Sequence, residues 1–223
     1  MARGRFITIE GGEGAGKSTQ IELLAAALAR AGIAVRTTRE PGGSPGAEEI
    51  RKLLVTGAAD RWDPLAEALL HFAARRVHLR AVVLPELAAG TWVLSDRFAD
   101  STMAYQGYGH GLGRAEIERL YALVVGDFAP DLTVILDLPV ELGLRRAAGR
   151  RSRLRPEAFG GRAGEDRYER MDRAFHDRLR AGFREIARRE PRRCVLIDAA
   201  GEVEAVHGAV LAAVSARLGL ALT

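Results

Sequence analysis

Cysteine is almost missing from this chain: Cys194 stands alone among 223 residues, so no internal disulfide can form and a disulfide-framed secreted architecture is excluded. No cysteine and histidine group has the spacing of a metal site. Asparagine is absent altogether, and lysine occurs only at positions 17 and 52, so arginine supplies nearly all of the 33 basic residues. Against 29 acidic residues these leave a formal charge of only +4. Clustered charge is the footprint of a nucleic-acid surface, and a small net excess is not, so no nucleic-acid partner is expected. Long apolar runs are lacking too. Pro85, Gly90, Pro139 and many charges interrupt every stretch before it reaches the roughly 18 residues of a membrane span, and Phe6 to Ile9 is too short for a signal-peptide core. No membrane partner and a cytoplasmic location are the expectations.

Apolar residues make up 48% and charged residues 28%, enough to build the core of one domain spanning 1–223. Five short, β-branched-rich runs, at 5–10, 33–38, 91–96, 132–137 and 193–198, read as buried strands. Helical spacing fills the intervals at 18–31, 48–55, 65–84, 114–125, 140–150, 168–189 and 202–218. The alternation predicts an α/β fold with a parallel sheet, in which ligands bind beyond the carboxyl ends of the strands. Polar residues collect at those ends: Glu10, the run Arg39 to Gly43, Asp96-Arg97, Asp137 and Asp198. Between 150 and 167 the helical pattern gives way to arginines and glycines, which predicts a basic lid.

Gly11-Gly12-Glu13-Gly14-Ala15-Gly16-Lys17-Ser18 fits G-x-x-x-x-G-K-S/T, with a strand before it and the helical spacing of Ile21, Leu24 and Leu28 after it. In such a loop glycines let backbone N–H groups converge on phosphate oxygens at a helix N-terminus. Lysine then reaches the β and γ phosphates, and the serine hydroxyl ligates Mg²⁺. The stretch from Gly11 through Thr19 is therefore the candidate ATP cradle, with Mg²⁺ at Ser18. Without asparagine the N-K-x-D string by which GTPases read guanine cannot be present.

Several further strings resemble one family, the bacterial thymidylate kinases, almost end to end. Ile9 to Thr19 is similar to the family's first motif and Thr38-Arg39-Glu40-Pro41-Gly42-Gly43 to its second; Ser95-Asp96-Arg97, Asp100 to Gly107, Phe175-His176-Asp177-Arg178 and Ile197-Asp198-Ala199 follow. The resemblance implies a nucleoside-monophosphate-kinase-like three-layer fold with a five-stranded parallel sheet. It also implies transfer of the γ-phosphoryl of ATP to dTMP, giving dTDP on the way to dTTP, and a homodimer. By position it assigns Arg39 and Arg97 to the dTMP phosphate, Glu13 to the sugar 3′-hydroxyl, Arg75 to a thymine carbonyl and Thr102 to the ring. Tyr105 crowds the sugar 2′ position, while Ser101 and Gln106 belong to the same pocket. Asp96 is placed near Mg²⁺ through water, and Arg146 on adenine.

Two places depart from the family. His71 stands where a phenylalanine stacks on thymine, and Phe72, one residue on, is about 100° away around the helix. The phosphate loop has no arginine, so the lid is expected to supply one. Asp166-Arg167 and Glu169 resemble the lid's D-R-x-E string, and residues 151–165 form an insertion with competing arginines. Arg167 is the first choice for the catalytic arginine beside Lys17, Arg97 and Asp96, and Arg153 the second. Two rivals remain at this stage: another phosphate-loop nucleotide or nucleoside kinase, favoured by the histidine at 71, and an ATPase switch without an acceptor.

Overall fold

The computed structural model describes residues 3–58, 60–153 and 167–222; for 150–153 the backbone alone is described. Five parallel strands, β1 (Phe6–Gly11), β2 (Val35–Arg39), β3 (Trp92–Asp96), β4 (Leu132–Asp137) and β5 (Cys194–Asp198), form one sheet in the order β2-β3-β1-β4-β5. Each of the five runs marked by β-branched residues is a strand, within two residues of its expected limits.

Period-two alternation sorts the strands' side chains onto two faces. Ile7 and Ile9 of β1 and Leu132, Val134 and Leu136 of β4 pack with Leu24 and Leu28 of α1 (Lys17–Arg30) and with Val206, Val210 and Val214 of α9 (Val203–Leu218). Phe6 faces the other way, onto Leu79, Val83 and Phe98, and Ile135 meets Phe175, Leu179 and Phe183 of α8 (Arg173–Arg189). That second face also carries buried polar groups. The Thr8 and Thr133 hydroxyls pair at 2.8 Å, and Arg193 donates to both oxygens of Asp100 at 2.6 and 2.8 Å.

Around this sheet run α2 (Pro45–Val55), α3 (Pro64–His78), α4 (Leu84–Ala88), α5 (Ala99–Thr102), α6 (Arg114–Val124) and α7 (Val140–Arg153). Three helix expectations change. The helix expected over 65–84 breaks into α3, a π-helical stretch Leu79–Val83 and α4. Pro85 explains the widening, because its ring clashes with the carbonyl four residues earlier and it has no N–H to donate. No helix is expected between 84 and 114, whereas α5 lies there, continued by a π-helical stretch Met103–Gly109. It packs close to α8: a Cβ at Gly109 would lie 2.7 Å from the Phe175 ring, and one at Gly182 would lie 2.9 Å from Tyr108. Finally, the helix expected over 168–189 begins later. Tyr168–Arg170 is a single 3-10 turn, and Asp172 caps α8 by accepting from the Phe175 N–H at 2.6 Å. Cys194 is buried at the start of β5. Among the described residues no helix is long and apolar enough to cross a membrane.

Candidate active site

The carboxyl ends of β1 and β3 lie side by side, with Ile9 level with Asp96, so the turn after β1 and the turn after β3 build one site. Gly14 adopts φ +68, and a Cβ there would sit 2.1 Å from the Gly143 carbonyl, so α7 packs against the loop where only glycine fits. Gly16, at φ 89, opens α1 with no side chain capping the helix. Lys17 folds over its own loop, donating to the carbonyls of Gly12 at 2.9 Å and Gly11 at 3.2 Å. Burial first, and the Arg97 charge second, lower its pKa to about 8. Ser18 Oγ donates to Asp96 Oδ2 at 3.1 Å, and Asp96 Oδ1 is buried without a hydrogen-bond partner.

Arg97 sits in the left-handed region at φ 71, unusual for a side chain of its size. Glu10 holds that turn: its carboxyl accepts from the Phe98 N–H at 2.7 Å and from Ser101 Oγ at 2.5 Å. The guanidinium donates to Gly11 O at 3.0 Å, Ser101 Oγ at 2.9 Å and the Tyr105 hydroxyl at 2.8 Å. Tyr105 passes its own proton on to Glu13 Oε1 at 2.5 Å. Burial opposes ionisation of Glu13, but Arg97 and Lys17 prevail and hold its carboxyl below the usual range.

Beyond this cluster opens a cleft lined among others by Glu13, Arg51, His71, Arg75, Arg97, Thr102, Tyr105, Gln106 and Tyr168. Arg75 is 2% exposed. Its Nε donates to Glu40 Oε2 at 2.8 Å and its Nη2 to Thr102 Oγ1 at 3.0 Å, while the guanidinium carbon lies 4.8 Å from the Phe72 ring centre and 5.1 Å from that of Phe98. Nη1 is left without a hydrogen-bond partner. Glu40 also bonds His78 Nδ1 at 2.9 Å, and His78 Nε2 meets Thr38 Oγ1 at 2.7 Å. A second buried carboxylate, Glu67, accepts from Gln106 Nε2 at 2.6 Å and the Tyr168 hydroxyl at 2.9 Å and pairs with Arg167. Burial raises the Glu67 pKa, but the nearby His110, 3.5 Å from Oε1, and the Arg167 guanidinium outweigh it and bring the value to about 2. His71 bonds the Tyr168 hydroxyl through Nε2 at 2.9 Å, and burial lowers its pKa to about 4.

The structure therefore gathers Glu13, Lys17, Ser18, His71, Arg75, Asp96, Arg97, Ser101, Thr102, Tyr105 and Gln106 around one loop and one cleft. Three expected residues are engaged elsewhere. Arg39 Nη2 donates to both oxygens of Glu48 at 3.0 Å, and Arg51, which the sequence did not single out, lines the cleft in its place. Arg146 donates to the carbonyls of Ala199 at 2.9 Å and Ala200 at 3.0 Å, in the turn after β5. Arg167, 1% exposed, is held by Glu67 and the carbonyls of Ala58 and Leu54. A buried guanidinium beside an ionised carboxylate is already neutralised there, so the expectation that Arg167 meets the transferring phosphoryl group does not match this arrangement. The lid expected from 150 and the side chain of Arg153 lie outside the described residues. Phe72 packs with Ala68 and Ile117, as its offset from His71 requires.

Three comparisons bear on this site. The family model described as Thymidylate kinase matches residues 9–210. A thymidylate kinase of Caulobacter vibrioides is 57% identical over 99% of this chain and 100% of its own length, and one of a Bradyrhizobium species is 51% identical over 97% and 92%. The crystal structure of a thymidylate kinase from Ehrlichia chaffeensis superposes with a TM-score of 0.72 at 35% identity, covering 94% of this chain and 97% of that one. With the family model matching residues 9–210 and relatives matching over nearly the whole length, the chain belongs to the thymidylate kinase family.

Proposed function

We propose that the cleft binds dTMP and that the loop Gly11–Thr19 binds ATP, so that the γ-phosphoryl group passes to dTMP to give dTDP and ADP. Family membership supplies the activity, and the observation that carries the placement is the spacing of unlike polar groups along one cleft. Arg97 and Arg51 offer charge for a phosphate. The unpartnered Arg75 Nη1 and the Gln106 amide offer hydrogen bonds for a base.

The acceptor is an ionised phosphate oxygen, so no strong general base is needed, and catalysis rests on alignment and charge neutralisation. Lys17 leaves the Gly11 and Gly12 carbonyls for the donor's terminal phosphates. Arg97 and Arg51 hold the acceptor phosphate; Arg39 supports that wall by fixing Glu48, which also accepts from the Gly43 N–H at 2.8 Å. Glu13, ionised and hydrogen-bonded to Tyr105, accepts from the sugar 3′-hydroxyl, and the Tyr105 ring closes the 2′ side. Thr102 and Ser101 complete the wall by holding Arg75 and Arg97 in place. Arg146 braces the turn after β5 beside the adenine. With Arg167 held by Glu67, Arg153, second in the resemblance, is proposed as the arginine that meets the transferring group.

Ser18 Oγ and the unpartnered Asp96 Oδ1 are hard oxygen donors that suit Mg²⁺, which keeps most of its waters and takes few protein ligands. When bound, the ion supplies charge neutralisation for the β and γ phosphates. Leu65, Leu69 and Val77 on α3 and Leu123 on α6 are exposed, which supports pairing with a second copy. A cytoplasmic location follows from the substrates' chemistry.

An assay of ADP release with Mg-ATP and dTMP, beside dUMP, dCMP, thymidine and no acceptor, tests the reading. Release that requires dTMP and exceeds that with dUMP is expected. Equal release without an acceptor would return the chain to the switch reading.

A further inference from the structure

Histidine at position 71 raises a problem that phenylalanine does not. A phenyl ring presents the same surface after a flip, whereas an imidazole has one donor edge and one acceptor edge, and the torsion that turns it is soft. We infer that Glu67 is a positioning residue for dTMP recognition: through the Tyr168 hydroxyl it fixes the His71 ring as the neutral Nε2–H tautomer, in one orientation on the cleft wall. This rests on the base-pocket reading above.

The hydrogen-bond inventory leaves one assignment. Glu67 is fully buried and ionised, so its oxygens only accept. The single Tyr168 proton therefore goes to Glu67 Oε1 at 2.9 Å, and the phenol oxygen is left to accept from His71 Nε2–H at 2.9 Å. The charged groups that act on the His71 ring are Glu67, Arg75, Glu40 and Arg97, two of each sign, so burial decides in favour of the neutral ring. Arg167 on the other Glu67 oxygen and Gln106 on the same one keep the carboxylate ionised and in place. The rings of His71 and Tyr168 lie 6.4 Å apart and tilted by 40°, so the link is the hydrogen bond and not stacking. An oriented ring gives up no torsional freedom when the base arrives.

Histidine ¹⁵N spectra of the ligand-free protein read the relay without reference to activity. His71 is expected as a neutral Nε2–H ring at pH 7, and as a mixture of tautomers in Tyr168→Phe; an Nδ1–H or protonated ring in the unsubstituted protein overturns the relay. The kinetic arm is a double-mutant cycle. Tyr168→Phe is expected to raise the Km for dTMP about fivefold while leaving that for ATP in place. In a His71→Phe background, with no N–H left to orient, the same change is expected to shift it less than twofold. Equal effects in the two backgrounds, or none in either, refute the relay. The Nε2–H spectrum with no dTMP-dependent ADP release would instead retire the kinase reading and leave the relay standing.

Discussion

The loop from Gly11 to Ser18 and the pocket around Arg75 serve one cleft, yet they reach their geometry by different routes. In the loop, backbone conformation sets the geometry: Gly14 and Gly16 take positive φ, α7 closes on Gly14, and α1 starts uncapped. Apart from the α7 contact at Gly143, all of it is local in the chain. The base pocket is assembled from α3, the turn after β2, the stretch after β3 and Tyr168, and two buried carboxylates hold these together. Glu40 fixes Arg75 and His78, and Glu67 fixes Gln106, Tyr168 and Arg167. Between the two, Arg97 and Tyr105 pass a hydrogen bond to Glu13 in the same way that His71 and Tyr168 pass one to Glu67. A contiguous backbone site tolerates few substitutions anywhere in it. A carboxylate-organised pocket concentrates its vulnerability in residues that do not touch the ligand.

The largest effect is expected at the loop. Lys17→Ala removes the charge that meets the donor's terminal phosphates and is expected to lower kcat by about 10²-fold or more, measured by ADP release at saturating substrates; a loss below tenfold would place the neutralising charge elsewhere. At the base end, Arg167→Ala is expected to act on stability more than on chemistry. It leaves the buried Glu67 carboxylate without its charge partner, a defect that typically costs about 3–5 kcal/mol, and calorimetry should show a lowered Tm while kcat of the folded enzyme stays within a few fold. A collapse of kcat with an unchanged Tm would restore Arg167 to the transferring phosphoryl group.

Glu10 links the two ends and gives a prediction in pH. Burial first, and the Asp100 charge second, push its carboxyl up to about 8 from 4.5. The folded state therefore keeps a proton that the unfolded chain has released. This contribution to stability is complete below about pH 4.5, falls as pH rises toward 8 and is gone above that. Glu10→Gln has no proton to lose, so its Tm should decline less between pH 5 and 8 than that of the unsubstituted protein; parallel declines would show that Glu10 is ionised throughout. The smallest effect belongs to His71→Phe, which enlarges the stacking surface and is expected to lower the Km for dTMP by about two- to threefold. An unchanged or higher value would show that the imidazole edge, and not ring area, holds the base.

The same contrast decides how much could be read in advance. Strand limits and the phosphate loop were legible because each depends on neighbours a few residues away: alternation around Ile7 and Ile9, glycines before Lys17, a helix after Ser18. Arg97, Tyr105 and Gln106 were legible through strings shared with a family. Glu40 stood in plain view within such a string and Glu67 in none, and what both do depends on partners such as Arg75 and Tyr168, tens of residues away or more, which no local pattern encodes. Arg51 on α2 carries no marker beyond its type. Arg167 shows the converse, a residue marked by a shared string whose pairing with the buried Glu67 no local pattern encodes. The break in the helix over 65–84 was signalled by Pro85, whose effect falls on the turn before it.

Paired titrations of dTMP and of an unreactive ATP analogue into Glu40→Gln test the division between the two ends most directly. With one oxygen of its partner replaced, Arg75 keeps its place in the chain but loses the charge that orients it. The account predicts dTMP affinity weakened about tenfold and affinity for the ATP analogue unchanged. Equal weakening of both ligands, or of neither, would contradict it.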